Sequence, residues 1–346
     1  MFEKYLRKNI KNLVPYSSAR DEYSGTDATF LDANENPNNE PYNRYPDPFQ
    51  LKLKVKISRI KNISEEQIFL GNGSDEAIDL IIRAFCEPGI DKIVSMKPSY
   101  GMYNVCADIN NVEFLEVPLT KNYQIDKEAF FDTVDWNTKL VFICSPNNPT
   151  SNCFFREDII YILENFEGVV VLDEAYIDFA SQPGFLEILN DYPNLIILQT
   201  FSKAWGLAGI RLGMAYAHKE LIRILTKMKY PYNVNSLTQQ VALEMIDKEP
   251  KVKEWIDEII NARENLRIQF SDLKIVKEIL PSDSNFLMVR FDNARELYSY
   301  LLDDKIIVRD RSKVILCEGC LRITVGSEKE NELLLESIKK YEKSLN

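Results

Sequence analysis

The sequence predicts an α/β protein: a large domain with a mostly parallel, seven-stranded type of sheet flanked by helices, followed by a smaller α+β domain. Three observations predict it. Short apolar runs alternate with helical spacings from residue 66 to residue 217, the signature of a buried parallel sheet. The pattern breaks at Pro231-Tyr232-Asn233-Val234-Asn235 and gives way to long helical periodicities over 237–246 and 252–270. Beyond these, two further strand-like runs alternate with two helical patterns.

Taken in order, residues 1–30 mix a short amphipathic pattern (Phe2, Tyr5, Leu6, Ile10, Leu13) with a polar stretch from Ser17 to Thr29, and read as an arm. Asn43-Arg44-Tyr45-Pro46-Asp47-Pro48 carries too much proline for regular structure and reads as an ordered loop. Strands are expected at 68–70, 93–96, 112–117, 140–144, 169–172, 195–198 and 214–217. Between them, apolar residues at 77, 78, 81, 82 and 85 give one helix, and 158–166 another. In the smaller domain, strands are expected at 286–289 and 321–325, with helices over 294–302 and 328–342. The resulting division is an arm over 1–30, a large domain over 31–245 and a small domain over 246–346.

Composition narrows the partners. Lysine plus arginine number 42 against 53 acidic residues, a net charge of −11, which argues against nucleic acid or an anionic membrane. No run approaches the ~18 apolar residues of a membrane span, and the first residues lack the apolar core of a signal peptide, so a cytoplasmic location is expected. Cys317-Glu318-Gly319-Cys320 has the spacing of a zinc half-site, but there is no second pair and His218 is the only histidine. No metal is expected, and the two thiols read as structural or incidental. A single histidine, placed where it can cap a helix, also removes Ser-His-Asp and Cys-His machinery.

Chemistry concentrates where the strands end, the position at which open α/β sheets bind ligands. The run 195–198 leads into Thr200-Phe201-Ser202-Lys203, then Gly206, Gly209, Arg211 and Gly213. A lysine at the mouth of a sheet can form an imine with an aldehyde once burial or a nearby cation lowers its pKa. Taken alone, a Ser-Lys pair also fits a solvated surface turn. Asp173-Glu174-Ala175-Tyr176 follows 169–172, with a carboxylate able to pair with a protonated pyridine nitrogen or simply to cap a helix. Asn148, between prolines in Ser145-Pro146-Asn147-Asn148-Pro149-Thr150, can donate to a phenolate oxygen. Gly71-Asn72-Gly73-Ser74-Asp75 opens a helix with free N–H groups suited to phosphate or to plain capping. Pro98-Ser99-Tyr100 adds an aromatic able to stack on a planar ring.

These segments, in this order, resemble the pyridoxal-phosphate aminotransferases of fold type I, in the branch with aspartate and histidinol-phosphate aminotransferases. The likeness to the histidinol-phosphate group rests on Val14-Pro15-Tyr16, Leu31-Asp32-Ala33-Asn34-Glu35-Asn36-Pro37, Arg44-Tyr45-Pro46-Asp47, Val308-Arg309-Asp310-Arg311 and Gly319-Cys320-Leu321-Arg322-Ile323-Thr324-Val325-Gly326. The resemblance implies pyridoxal 5′-phosphate as cofactor, with Lys203 holding its aldehyde and shuttling a proton. Asp173 would face the ring nitrogen, Asn148 and Tyr176 the phenolic oxygen, and Tyr100 the ring. Ser74, Asp75, Ser202 and Arg211 would take the phosphate, with Tyr45 reaching over from a second subunit of a homodimer. Arg322 would bind the substrate's anionic end, helped by Arg309 and Tyr16. The implied substrates are a small amino donor and a 2-oxo acid: L-histidinol phosphate and 2-oxoglutarate.

Two other enzyme readings share the motif set, decarboxylation of threonine phosphate and transamination of an aromatic amino acid. A pyridoxal-binding regulator would need a basic DNA-binding domain that the sequence does not show. Ser151 departs from the family's Asn-Pro-Thr-Gly. If that position needs positive φ, serine there costs on the order of 1 kcal/mol.

Overall fold

The computed structural model describes residues 4–16 and 29–345. Seven strands form the larger sheet: β1 (Ile68–Asn72), β2 (Lys92–Lys97), β3 (Glu113–Pro118), β4 (Thr138–Cys144), β5 (Val169–Asp173), β6 (Leu195–Thr200) and β7 (Leu212–Ala217). Their spatial order is β1-β7-β6-β5-β4-β2-β3. From β6 to β3 every pairing is parallel, whereas β7 runs antiparallel to both β6 and β1. The reversal of β7 has a consequence for chemistry: its first residues, not its last, lie at the edge where the parallel strands end.

Strand side chains alternate between two covered faces. Val141, Ile143, Val170, Leu172 and Ile197 face one buried cluster, with α2 (Leu51–Lys61) and α6 (Arg156–Asn165) packed on it through Leu53, Ile57, Ile159 and Ile162. Leu140, Phe142, Val171, Ile196 and Leu198 face the other, covered by α3 (Gly73–Phe85), α4 (Met102–Ile109) and α7 (Lys219–Met228). A strand buried on both faces has to be apolar throughout, which is why these runs carry no polar alternation.

The second sheet is antiparallel, in the order β10-β11-β9-β8, built from β8 (Val276–Ile279), β9 (Phe286–Phe291), β10 (Arg309–Asp310) and β11 (Cys320–Thr324). Leu287, Val289, Leu321 and Ile323 point from it into a core closed by α10 (Ala294–Asp303) and α11 (Glu328–Ser344). The long α9 (Glu249–Ser271) serves both cores: Val252 belongs to the first, Leu266 and Phe270 to the second.

The described start of the arm, residues 5–10, lies on the large sheet's helices. Tyr5 and Leu6 pack on the cluster around α3 and α7, the Arg7 N–H donates to Ala84 O, and Lys227 Nζ donates to Ile10 O. Ile10 is the buried anchor of the short α1 (Lys8–Lys11), so the apolar positions of the arm find the nearest apolar helix faces. The polar stretch beyond Tyr16 falls on 17–28, outside the described residues.

His218 caps α7 by accepting from the Glu220 N–H, as a residue just before a helix can. Cys317 and Cys320 are free, buried thiols packed with Leu280 and Met288. Among the described residues no group of three His, Cys, Asp or Glu side chains could hold a metal, and no helix is long and apolar enough to cross a membrane.

Candidate active site

A single cavity opens at the carboxyl edge of the larger sheet. It is lined by Ser74, Asp75, Tyr100, Asn148, Asp173, Tyr176, Ser202, Lys203 and Arg211, together with Gly73, Cys144, Ala175, Thr200 and Ala208. Each strand contributes from the end that faces this edge: β1 through the start of α3, β4 through Asn148, β5 through Asp173, β6 through Lys203. Arg211 comes from the start of the reversed strand β7.

The α3 end of the cavity depends on two glycines. Gly73 begins the helix at φ +72, donates its N–H to Arg211 O at 2.8 Å, and a Cβ there would meet Arg211 Nη2 at 2.7 Å. At Gly213 a Cβ would lie 2.1 Å from the Ser74 nitrogen, so any side chain would push the helix start off β7. The open first turn of α3 therefore points its N–H groups into the cavity beside Ser202 and Arg211, an arrangement suited to a phosphate. The Arg211 guanidinium meets Asp75 Oδ2 at 3.4 Å, and the Tyr100 hydroxyl donates to Asp75 Oδ1 at 3.2 Å.

Asp173 forms the floor. It is the last residue of β5, 3% exposed, and it accepts from the Tyr103 hydroxyl at 2.8 Å and the Ala175 N–H at 3.1 Å. Burial raises its carboxyl to about 6, while those two hydrogen bonds hold it down. Glu174 turns away from the cavity and bonds to Gln199 and to the Phe185 N–H, so only the aspartate of this acidic pair serves the site. Tyr103 is fully buried, stacked on Phe142 at 4.8 Å and edge-on to Tyr100 at 5.5 Å. Sequence reasoning missed it. The available signal was its position three residues after Tyr100, in the first turn of the helix that follows β2.

Lys203 lies over the Tyr176 ring, its Nζ 5.5 Å from the centroid. Burial lowers its pKa first, and the cation of Arg322 lowers it further, against the opposing pull of Asp173. A lysine so placed gives up its proton more readily than one in water. Asn148 is buried and oriented from two sides: its Oδ1 accepts from Arg322 Nη1 at 2.7 Å, which leaves Nδ2 to face the Tyr176 hydroxyl at 3.4 Å. Arg322, from β11, is the contribution of the smaller sheet. It also sits over the Phe286 ring at 5.4 Å, and burial lowers its pKa.

Ser151 adopts φ +69, the conformation that favours glycine. Its hydroxyl donates to Pro281 O at 3.0 Å, while its carbonyl accepts from the Asp283 N–H. The serine is thus held to the 281–283 segment that leads into β9.

Three of the named residues stand apart from this cavity. Arg309 is exposed on β10, directly opposite Arg322 in the strand register. Tyr45 stacks on Tyr232 at 4.4 Å in a separate groove formed by 33–35, 42–46 and 235–237. Tyr16 is exposed at the end of the described arm.

Residues 22–338 match the family described as aminotransferase class I and II. The chain is 54% identical over 334 residues to a histidinol-phosphate aminotransferase of Parabacteroides distasonis, covering 96% of this chain and 97% of that one. It is 55% identical over 337 residues to one of Bacteroides thetaiotaomicron, covering 97% of each. Among solved structures, it is similar to the Sinorhizobium meliloti histidinol-phosphate aminotransferase in complex with pyridoxal-5′-phosphate, with TM-score 0.80 and 26% identity over 88% of this chain and 84% of that one.

Proposed function

The chain belongs to the aminotransferase class I and II family, and from that premise we propose that it exchanges an amino group between L-histidinol phosphate and 2-oxoglutarate, giving imidazole acetol phosphate and L-glutamate. The observation that carries this reading is identity above one half, over almost the whole chain, to proteins named for that transamination.

The residues present fit pyridoxal 5′-phosphate. Asp173 is an enclosed carboxylate whose hydrogen bonds come only from neutral groups, so a cationic N–H suits the space before it. The two glycines leave the first turn of α3 open where a phosphate needs it. A half-buried lysine and a rigid amide complete the donor set. When bound, the cofactor supplies an aldehyde that captures amines and a ring that takes up the electron pair released at the substrate's α-carbon.

The chain's own groups do the rest. Lys203, its proton affinity lowered, is the base in place to take and return the proton at that carbon. Asp173, its carboxylate held by the Tyr103 hydroxyl, would keep the ring nitrogen protonated. Asn148 and Tyr176 would donate toward the phenolic oxygen, and Tyr100 would stack on the ring. Ser74, Asp75, Ser202 and Arg211 serve the cofactor phosphate. Arg322 and Arg309 take the donor's anionic end, and Arg322 orients Asn148 as it does so. Tyr45 and Tyr16 stand outside the cavity on exposed surface, which supports a homodimer in which each copy lends them to the other's site. We keep the division into arm, large domain over 31–245 and small domain over 246–346, and a cytoplasmic location, as parts of the same proposal.

The test is spectroscopic. Glutamate added to the holoenzyme should convert the aldehyde form's absorbance to that of the amine form and release 2-oxoglutarate, and L-histidinol phosphate should do the same with imidazole acetol phosphate. No conversion with either donor would sink the reading. Carbon dioxide from threonine phosphate would move it to a lyase.

A further inference from the structure

The smaller sheet turns one face to its own core and the other toward the large domain, where Arg322 meets Asn148. Strand alternation places Arg309 and Arg322 together on this second face, directly opposite each other. Arg311, two residues after Arg309, shares that face and is held in register by its N–H, which donates to Cys320 O. Asp310, between them, alternates to the other side and accepts from the Ser312 N–H.

What the three guanidiniums touch is unusual for this protein. Arg322 has the Asn148 amide oxygen but no carboxylate. Among the described residues, the Arg309 and Arg311 side chains make no hydrogen bond and no ion pair. Arg311 Nε is nevertheless shielded from solvent. Other covered arginines are satisfied: Arg263 donates to Ser284 O at 2.8 Å, and Arg290 to Glu278 at 3.0 Å. Burial followed by the charges of Arg322 and Arg309 depresses the proton affinity of Arg311, against the smaller opposing pull of Cys317 and Asp310, as expected of three cations gathered by the β10–β11 register. Among the described residues no carboxylate is ion-paired to any of these three guanidiniums; Asp310, the acid whose charge reaches Arg311, is engaged by the Ser312 N–H instead. Shielded cations without partners are costly, and an anion of more than one charge offsets that cost.

The geometry points to Arg311 as a third guanidinium of the donor's anion site, beside Arg309 and Arg322, selecting a phosphate-ended donor over a carboxylate-ended one. The inference rests on the transamination reading above. A carboxylate presents two oxygens and one charge, which one guanidinium fork satisfies. A phosphate monoester presents three terminal oxygens and close to two charges at neutral pH, and leaves work for further forks.

The experiment compares holoenzyme of the wild type, Arg311→Gln and Arg311→Lys in single-turnover amino transfer, with L-histidinol phosphate and with L-glutamate. Inorganic phosphate is added as a competitive inhibitor. Arg311→Gln should lower kcat/KM for histidinol phosphate by roughly 10- to 100-fold, mainly through KM, as loss of a charge-assisted hydrogen bond does. Glutamate should change by less than about threefold, and inhibition by phosphate should weaken roughly tenfold. Arg311→Lys, which keeps the charge and loses the fork, should recover part of the loss, and it carries the same two-donor comparison if the glutamine variant does not fold. Equal losses with both donors, or no loss with either, would overturn the proposal. If the wild type does not accept histidinol phosphate, the transamination reading falls, and the phosphate inhibition still decides whether Arg311 holds a phosphate.

Discussion

The two walls of the cavity are built on opposite principles. On the large-sheet wall the polar groups have partners within the protein: Asp173 with Tyr103, Asp75 with Tyr100 and Arg211, Asn148 with Tyr176. On the small-sheet wall, the β10–β11 face presents arginines with almost none. The first wall is preorganised around a group that stays, and its satisfied hydrogen bonds keep it rigid. The second is left electrostatically incomplete, as a surface must be if anions are to arrive and leave with each turnover. The difference teaches that resident and transient ligands can be told apart by how far the protein has satisfied its own side chains.

The comparison breaks most sharply at Lys203. Lys203→Ala should lower amino transfer by about three orders of magnitude or more, since it removes the only amine among the described residues that line the cavity. Cofactor should still bind through the α3 turn and Arg211, as checked by its fluorescence after dialysis. Near-normal turnover would refute the assignment of the large-sheet wall.

Asp173 tests the same wall in two ways. Asp173→Asn should reduce turnover by about 100-fold, because a neutral amide holds a ring proton poorly. The second way is pH. Burial raises this carboxyl to about 6, so without cofactor the folded chain keeps a proton that the unfolded chain has already released. That stabilising contribution is full below about pH 4 and is lost as pH rises through about 6, on the order of 3 kcal/mol. Denaturation of the apoprotein at pH 4.5 and pH 7 should show the loss in wild type and not in Asp173→Asn. Identical pH dependence would mean that the carboxylate is not desolvated.

The smallest effect is expected at the seam between the walls. Ser151→Gly relieves a positive φ, worth on the order of 1 kcal/mol, and deletes the hydrogen bond to Pro281 O, worth about the same. Melting temperature should therefore shift by no more than about 4 °C. A larger fall would show that this hydroxyl, and not the backbone bonds beside it, ties the Asn148 loop to the 281–283 segment.

Much of the fold was legible because local pattern carries it. The inner strands of the larger sheet are apolar runs with turn residues behind them, and burial on both faces demands that composition, whereas the edge strand β3 keeps Glu113 and Glu116 exposed. The elements that escaped lack such a pattern. In α2, apolar residues at 51, 53, 55 and 57 alternate as a strand would, and its helical state is decided by Leu53 and Ile57 packing on the large sheet. The edge strand β8 is short and half exposed, so it leaves little periodicity. In the site, Lys203, Asp173, Asn148 and the α3 start were readable because each sits where a strand ends, a position that sequence reveals.

By itself, then, the sequence determined the fold class, the cofactor-bearing motifs and their order along the chain. These follow from backbone and burial preferences that act over a few residues. Only the tertiary structure decided the direction of β7, which brings Arg211 to the cavity from a strand's beginning. It also decided the Tyr103–Asp173 bond, the orientation of Asn148 by Arg322, and the gathering of Arg311 with Arg309 and Arg322. Those contacts join residues far apart in the chain, 70 positions for the first pair and 174 for the second. Partnership at that range is a property of packing, and local sequence does not carry it.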